Sequence, residues 1–423
     1  MKAIVLGLLA TSALHLVACT DPAVCEPDDL DCVDASDDGG KADGVTAATG
    51  AQMNDLTIVV PLAKTQAQLD GFLAATSKGI GGPLLPAKPY TTLFPDPTNN
   101  GAIGSDVSMV YSKLRVVAIR FDPCFAQIGP ITPQTTCDNQ IRVIFQSIDL
   151  KNGTANAIDG AVHAFYRLDH ADLVAAIREV IALRKAQGLT KSMGPLAPHP
   201  LLVSQGADGA FGQGLAAIIL KYCGQKNLIR FTRFQSSNLQ TVWGFSGFDL
   251  DANLKATPME IPGLPSHATS GSFFAGFGAP ISGGFTPETT LADNVALLVN
   301  VTNAKKATKA KQQAAFDAAL RIENPGVHSP NTIDCAQCHV SQPARMLIGE
   351  DILDLSTTGN TNMFKADPKW VSARSMKQTT SVRSQSGLNV HMLSYKNDKL
   401  MIGQRVINET AGLVAYVNGV IFH

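Results

Sequence analysis

Between residues 114 and 168 apolar and polar side chains alternate with the period of a half-buried strand. LRVVAIRF (114–121), IRVIFQSI (141–148) and AVHAFYRL (161–168) each predict a strand. In the second, Ile141, Val143 and Phe145 alternate with Arg142 and Gln146. DLTIVV (55–60) predicts an earlier strand, and 227–234 and 240–248 predict two later ones. Between them the period lengthens. Asp169 reads as a helix N-cap with Asp172 three residues on; Leu173, Ile177, Val180 and Ile181 follow at helical spacing, and Gly188 closes the run. A second helix is expected over 211–224. Strands followed by mixed helices and strands predict an α+β domain over residues 52–285.

From residue 286 the pattern turns to helix and loop. TPETTLADNVALLVN opens with a capping-type sequence, and AKKATKAKQQAAFDAALRIEN is strongly helix-forming until Pro325 stops it. QRVINETAGLVAYVN (404–418) places Val406, Thr410, Leu413 and Val417 on one helix face. A mostly α C-terminal domain over 286–423 is the consistent expectation.

The first fifty residues have a different character. Residues 1–18 join Lys2 to an apolar run too short to span a membrane as a mature helix, the pattern of a signal peptide. Residues 19–51 are acidic, rich in Asp, Gly and Ala and poor in large apolar side chains, which predicts a disordered tether. Cys25 and Cys32 can close a small disulfide loop within it, and its Asp cluster lacks EF-hand spacing. Leu16-Val17-Ala18-Cys19, placed after a signal-like segment, resembles the lipobox of bacterial lipoproteins. That resemblance implies cleavage before Cys19, acylation of Cys19, and anchoring in the cell envelope without a spanning helix. Thr20, not Asp, follows the cysteine, so the inner-membrane retention pattern is absent and the outer membrane is the expected site. The competing reading is an ordinary signal peptide with a chance cysteine.

Composition adds limits. The 423 residues suffice for two or three domains, and 34 Lys and Arg against 35 Asp and Glu leave no basic patch to hold nucleic acid. Cys124 and Cys137 bracket a loop carrying Pro130 and Pro133 between two predicted strands. A bond between them gives a disulfide-pinned hairpin, worth about 3 kcal/mol in the chain-entropy model. Cys223 stands alone in an apolar helical pattern, as a buried thiol does.

The chemistry concentrates in NTIDCAQCHVSQPAR (331–345), where Cys335, Cys338 and His339 form a CxxCH sequence. Eight cysteines and nine histidines in 423 residues produce about 0.003 such motifs by composition alone. Zinc needs four ligands and finds at most three here; a simple disulfide is the other alternative, because two thiols this close tend to oxidise in an envelope protein. Two thiols on one helical turn suit thioethers to the two vinyl groups of one haem, with the adjacent imidazole aimed at its iron. The motif, followed by about 80 residues that end in an amphipathic helix, resembles the c-type cytochrome domain. The resemblance implies thioethers at Cys335 and Cys338, His339 as the proximal iron ligand, and a cytochrome c-like C-terminal domain with one covalent haem. It also implies a sixth ligand downstream: Met392 first, then Met401, then His391. Core filling is the competing role for each methionine. Arg345, Arg374, Lys377 and Arg383 are candidate partners for haem propionates, with a solvated face as the competing role.

Other signals are weaker. The Gly-rich 270–284 lacks a phosphate-loop ending, GFSG (244–247) is no nucleophile elbow, and His163, His170, His199, His267 and His328 are scattered. A single CxxCH argues against a di-haem peroxidase. The leading expectation is electron transfer between a membrane-tethered cytochrome and an unidentified redox partner protein. A haem enzyme or gas sensor with an open iron position, and a binding lipoprotein with structural haem, are the alternatives.

Overall fold

The central strands form where the alternation places them. β1 (Thr57–Val59), β2 (Leu114–Asp122), β3 (Gln140–Lys151), β4 (Thr154–Ala157), β5 (Gly160–Arg167), β6 (Leu228–Ser236), β7 (Val242–Leu250), β8 (Ala256–Pro258) and β9 (Gly271–Phe274) make one antiparallel sheet. Its order is β1-β2-β3-β5-β6-β7-β8, with β4 paired to β3 and β9 to β7. The computed structural model describes residues 50–93, 111–123, 139–158, 160–236, 242–261, 264–268, 271–274, 292–330, 332–366 and 390–422. They belong to one compact unit, Thr46–His423. The signal peptide, the tether with Cys19, Cys25 and Cys32, and the proposed Cys124–Cys137 pin lie outside the described residues.

Before the sheet, the expected strand 55–60 is shorter than its pattern suggested. A helical turn, α1 (Met53–Leu56), precedes β1, because the Asp55 carboxylate accepts the backbone N–H of Gln52 at 2.9 Å and closes the turn. After β5, α2 (His170–Ala186) starts as expected, with the Asp169 carboxylate accepting the Asp172 N–H at 2.7 Å. α3 (Ala210–Tyr222) packs against α2 and ends at Cys223, which is a buried free thiol.

Direct cross-strand partners share a sheet face. One rung runs Arg120, Arg142, Phe165, Arg230 and Asp249. The next runs Ile144, His163, Thr232 and Gly247, and a third joins Ala161, Phe234 and Phe245. On the opposite face Val143, Ala164 and Phe231 are fully buried, in the same core as the buried stripes of α2 and α3.

The C-terminal residues overturn the expected fold class. They are not a mostly α, cytochrome c-like domain with a core of their own. α4 (Lys309–Ile322) and α5 (Cys335–Ala344) are followed by an antiparallel hairpin, β10 (Leu393–Lys396) and β11 (Lys399–Ile402), and then by α6 (Gln404–Tyr416). These elements are bonded to the sheet. The Gln146 side chain donates to the Tyr395 carbonyl at 2.9 Å and accepts the Tyr395 N–H at 2.7 Å. Asn397 accepts the Ala157 N–H at 2.8 Å, and Thr57 and Thr410 share a 2.8 Å hydroxyl contact.

The reason lies in α6. Its apolar stripe is real, but every residue from Gln404 to Ala411 is buried, including Arg405, Asn408 and Glu409. Glu409 pairs with Arg120 of β2 and with Arg405. Arg405 also donates to the carbonyls of Ile322 at 2.7 Å and His328 at 2.6 Å. Polar helix positions read as solvent-facing in a sequence; here they meet charged partners that come from far along the chain.

Burial alone would raise the Glu409 carboxyl, yet Arg120 and Arg405 hold it down to about 2. Its stabilising charge is therefore fully present above the ordinary value of 4.5 and is lost as pH falls toward 2. Glu409→Gln, which strands two buried guanidiniums, is expected to cost about 3–5 kcal/mol in chemical denaturation at neutral pH. The variant should also lose part of the acid-induced fall in stability between these limits; an unchanged midpoint and acid profile would contradict this role.

Candidate functional site

α5 begins at the first cysteine of the motif because Asp334 caps it, accepting the Gln337 N–H at 2.7 Å. The helix then sets Cys335 and Cys338 one turn apart on the same side, with His339 next to the second. Gln337 is fully buried and donates to the Asp293 carbonyl at 2.6 Å, which fixes the helix start from behind. Pro343 has no N–H to return to the His339 carbonyl, and beyond it the chain widens into i→i+5 turns over Arg345–Glu350.

α5 runs over β7 and β9. The His339 ring lies 5.4 Å from the rings of both Phe234 and Phe245, so the motif faces the aromatic end of the sheet. The His339 Nδ1 is 2.7 Å from the Val390 carbonyl oxygen. A carbonyl only accepts, so Nδ1 carries the proton and Nε2 keeps a bare lone pair. Nε2 has no hydrogen-bond partner among the described residues. Burial pulls the imidazole down to about 4, so it is neutral at ordinary pH.

Cys335 and Cys338 are unbonded to each other and half-buried. Burial pushes the first up to about 12 and the second to about 11. Arg142, on the sheet, acts electrostatically on both thiols. Its guanidinium lies 4.8 Å over the Phe165 ring, one Nη is 3.0 Å from Asp122, and its Nε is buried without a partner among the described residues.

Two thiols one turn apart, an adjacent neutral imidazole with a free lone pair, and the rings of Phe234 and Phe245 beside it are groups that fit a covalently attached haem. Among the described residues, no three His, Cys, Asp or Glu side chains converge to hold a bare metal ion.

The other predicted residues are placed as follows. Met392 is 4% exposed. Its Sδ lies where a Cβ on Gly403 would be, 2.3 Å from that point, and beside Gln342. His391 is fully buried, bonded through Nδ1 to the Ser394 hydroxyl at 2.7 Å and edge-on to Phe234 at 4.9 Å. Met401 lies on β11, opposite Ser394. Arg345 is committed to Glu323 at 2.7 Å and to Glu350. Arg374, Lys377 and Arg383 lie outside the described residues. His328 lies ahead of α5, held by Asp293 at 2.7 Å and Thr332 at 3.0 Å.

Sequence reasoning did not single out Phe234, Phe245, Val390 or Arg142 for this site. Only the sheet register brings the first two under α5, and the one sequence signal was that Arg142 sits in a strand otherwise rich in apolar residues. The chain matches no protein-family model, no curated protein and no solved structure.

Proposed function

We propose that the chain is an envelope c-type cytochrome with one covalent haem, anchored through Cys19 and passing electrons to a partner protein. The observation that carries this reading is the state of His339. Its Nδ1 proton is committed to the Val390 carbonyl, so Nε2 is the nitrogen left for iron, and two free thiols stand on the same helix beside it.

In that reading Cys335 and Cys338 would hold the haem through thioethers and His339 would ligate its iron, and the haem, when bound, would supply a one-electron couple. Val390 orients the imidazole and raises its basicity toward the metal. Phe234 and Phe245 pack the ring on the sheet side and exclude water, which favours a site that changes little between oxidation states. Among the described residues no helix is long and apolar enough to cross a membrane, and the lipid anchor rests on the lipobox resemblance at Cys19.

Two measurements check this. The full chain, exported in a host that matures c-type cytochromes, is expected to show sharp reduced haem bands and a reversible one-electron couple in voltammetry. Cys338→Ala should shift the reduced bands as one thioether is lost, and the Cys335→Ala/Cys338→Ala pair should lose the haem. A wild type exported in folded form without haem absorbance ends the proposal. For the anchor, Cys19→Ser is expected to move the protein from the membrane pellet to the soluble fraction; equal pelleting of both forms would show that Cys19 does not anchor it.

A further inference from the structure

On the sheet face beneath α5 stands a second histidine. His163 is at the middle of β5, between Ile144 of β3 and Thr232 of β6 on its rung. Its neighbours along the strand on the same face are Ala161 and Phe165. Ala161 is directly opposite Phe234, which is in ring contact with His339. His163 is thus one strand over and two residues along from an aromatic that touches the motif histidine.

The side chain is unusual for its setting. It is half-buried and makes a ring contact with Phe165 at 6.5 Å, but neither ring nitrogen has a hydrogen-bond partner among the described residues. Burial holds its protonation well below the usual histidine range, and the nearby charges of Arg142, His339 and Arg120 act in the same direction. A neutral imidazole with no hydrogen-bond partner among the described residues, on the sheet face whose Phe234 touches the CxxCH histidine, has the chemistry of a metal ligand.

The residues expected from chain order are placed differently. Val390 is bonded to Nδ1 of His339, the nitrogen turned away from the iron position. Met392 follows it and is packed against Gly403, while His391 bonds the Ser394 hydroxyl through Nδ1 and lies edge-on to Phe234. His163 comes from a different element, on the sheet, and neither of its ring nitrogens is bonded among the described residues.

On the reading that haem is attached at Cys335 and Cys338, we infer that His163 is the second axial ligand of the iron, supplied by the sheet and opposite His339. The haem is then clamped between α5 and β5, and both iron positions are filled by imidazole. Closure of the sixth position makes the protein an electron carrier and not a ligand-binding haem protein, and two histidines set a lower reduction potential than a histidine–methionine pair.

The test uses the full haem-loaded chain. Wild type is expected to be low-spin in both oxidation states, with a reduced spectrum that carbon monoxide leaves unchanged. His163→Ala should keep its covalent haem but become high-spin and bind carbon monoxide stoichiometrically where wild type binds none. Added imidazole should restore the low-spin spectrum. His163→Met, which keeps a ligating side chain in case the alanine variant folds poorly, should stay low-spin with a raised potential. Met392→Ala should behave as wild type toward carbon monoxide. Haem-loaded His163→Ala that remains low-spin and insensitive to carbon monoxide overturns the inference, as does opening of the site by Met392→Ala. Wild type that carries haem but binds carbon monoxide overturns this inference alone; wild type without haem overturns the proposed function with it.

Discussion

Glu409 holds the molecule together from its last helix. One guanidinium beside it, Arg120, belongs to the second strand of the sheet; the other, Arg405, reaches the carbonyls that end α4 and lead into the CxxCH segment. A carboxylate so enclosed is costly to bury alone and is retained only because both arginines meet it. The same three residues therefore fix α6 to the sheet and set the starting point of the loop that delivers α5. Asn408 extends the arrangement by donating to the Glu323 carbonyl at 2.8 Å, and Glu323 in turn holds Arg345 just past α5.

That framework explains how a short helix gains a well-defined orientation. Asp334 starts α5, Gln337 ties it to Asp293, and Val390 turns His339 by its Nδ1. The sheet provides the opposite wall: aromatic under the histidine at Phe234 and Phe245, and cationic beside it at Arg142. The wall that faces the motif is an antiparallel sheet encoded well upstream of it; Phe245 precedes His339 by 94 residues.

Much of this was legible before the structure. The period-2 alternation of Ile141, Val143 and Phe145 located β3, and Asp169 located the start of α2. The CxxCH motif identified its own three residues. What local pattern does not contain is partnership. The α6 stripe says that one side is apolar, but nothing nearby says that Arg405, Asn408 and Glu409 on the other side are also buried. For that reason residues 286–423 read as a separate helical domain. The same limit applies at the site. Phe234, Phe245 and His163 lie on different strands, and only cross-strand register brings them to one place.

The most direct measurement is whether haem stays with the denatured chain, and where. The exported protein would be unfolded in acidified organic solvent, digested, and its fragments separated by absorbance and mass. Covalent attachment is expected to leave the colour on the fragment holding Cys335, Cys338 and His339, with both cysteines carrying thioethers. Colour that extracts into the solvent, leaving that fragment with two free or disulfide-bonded cysteines, would contradict the central claim.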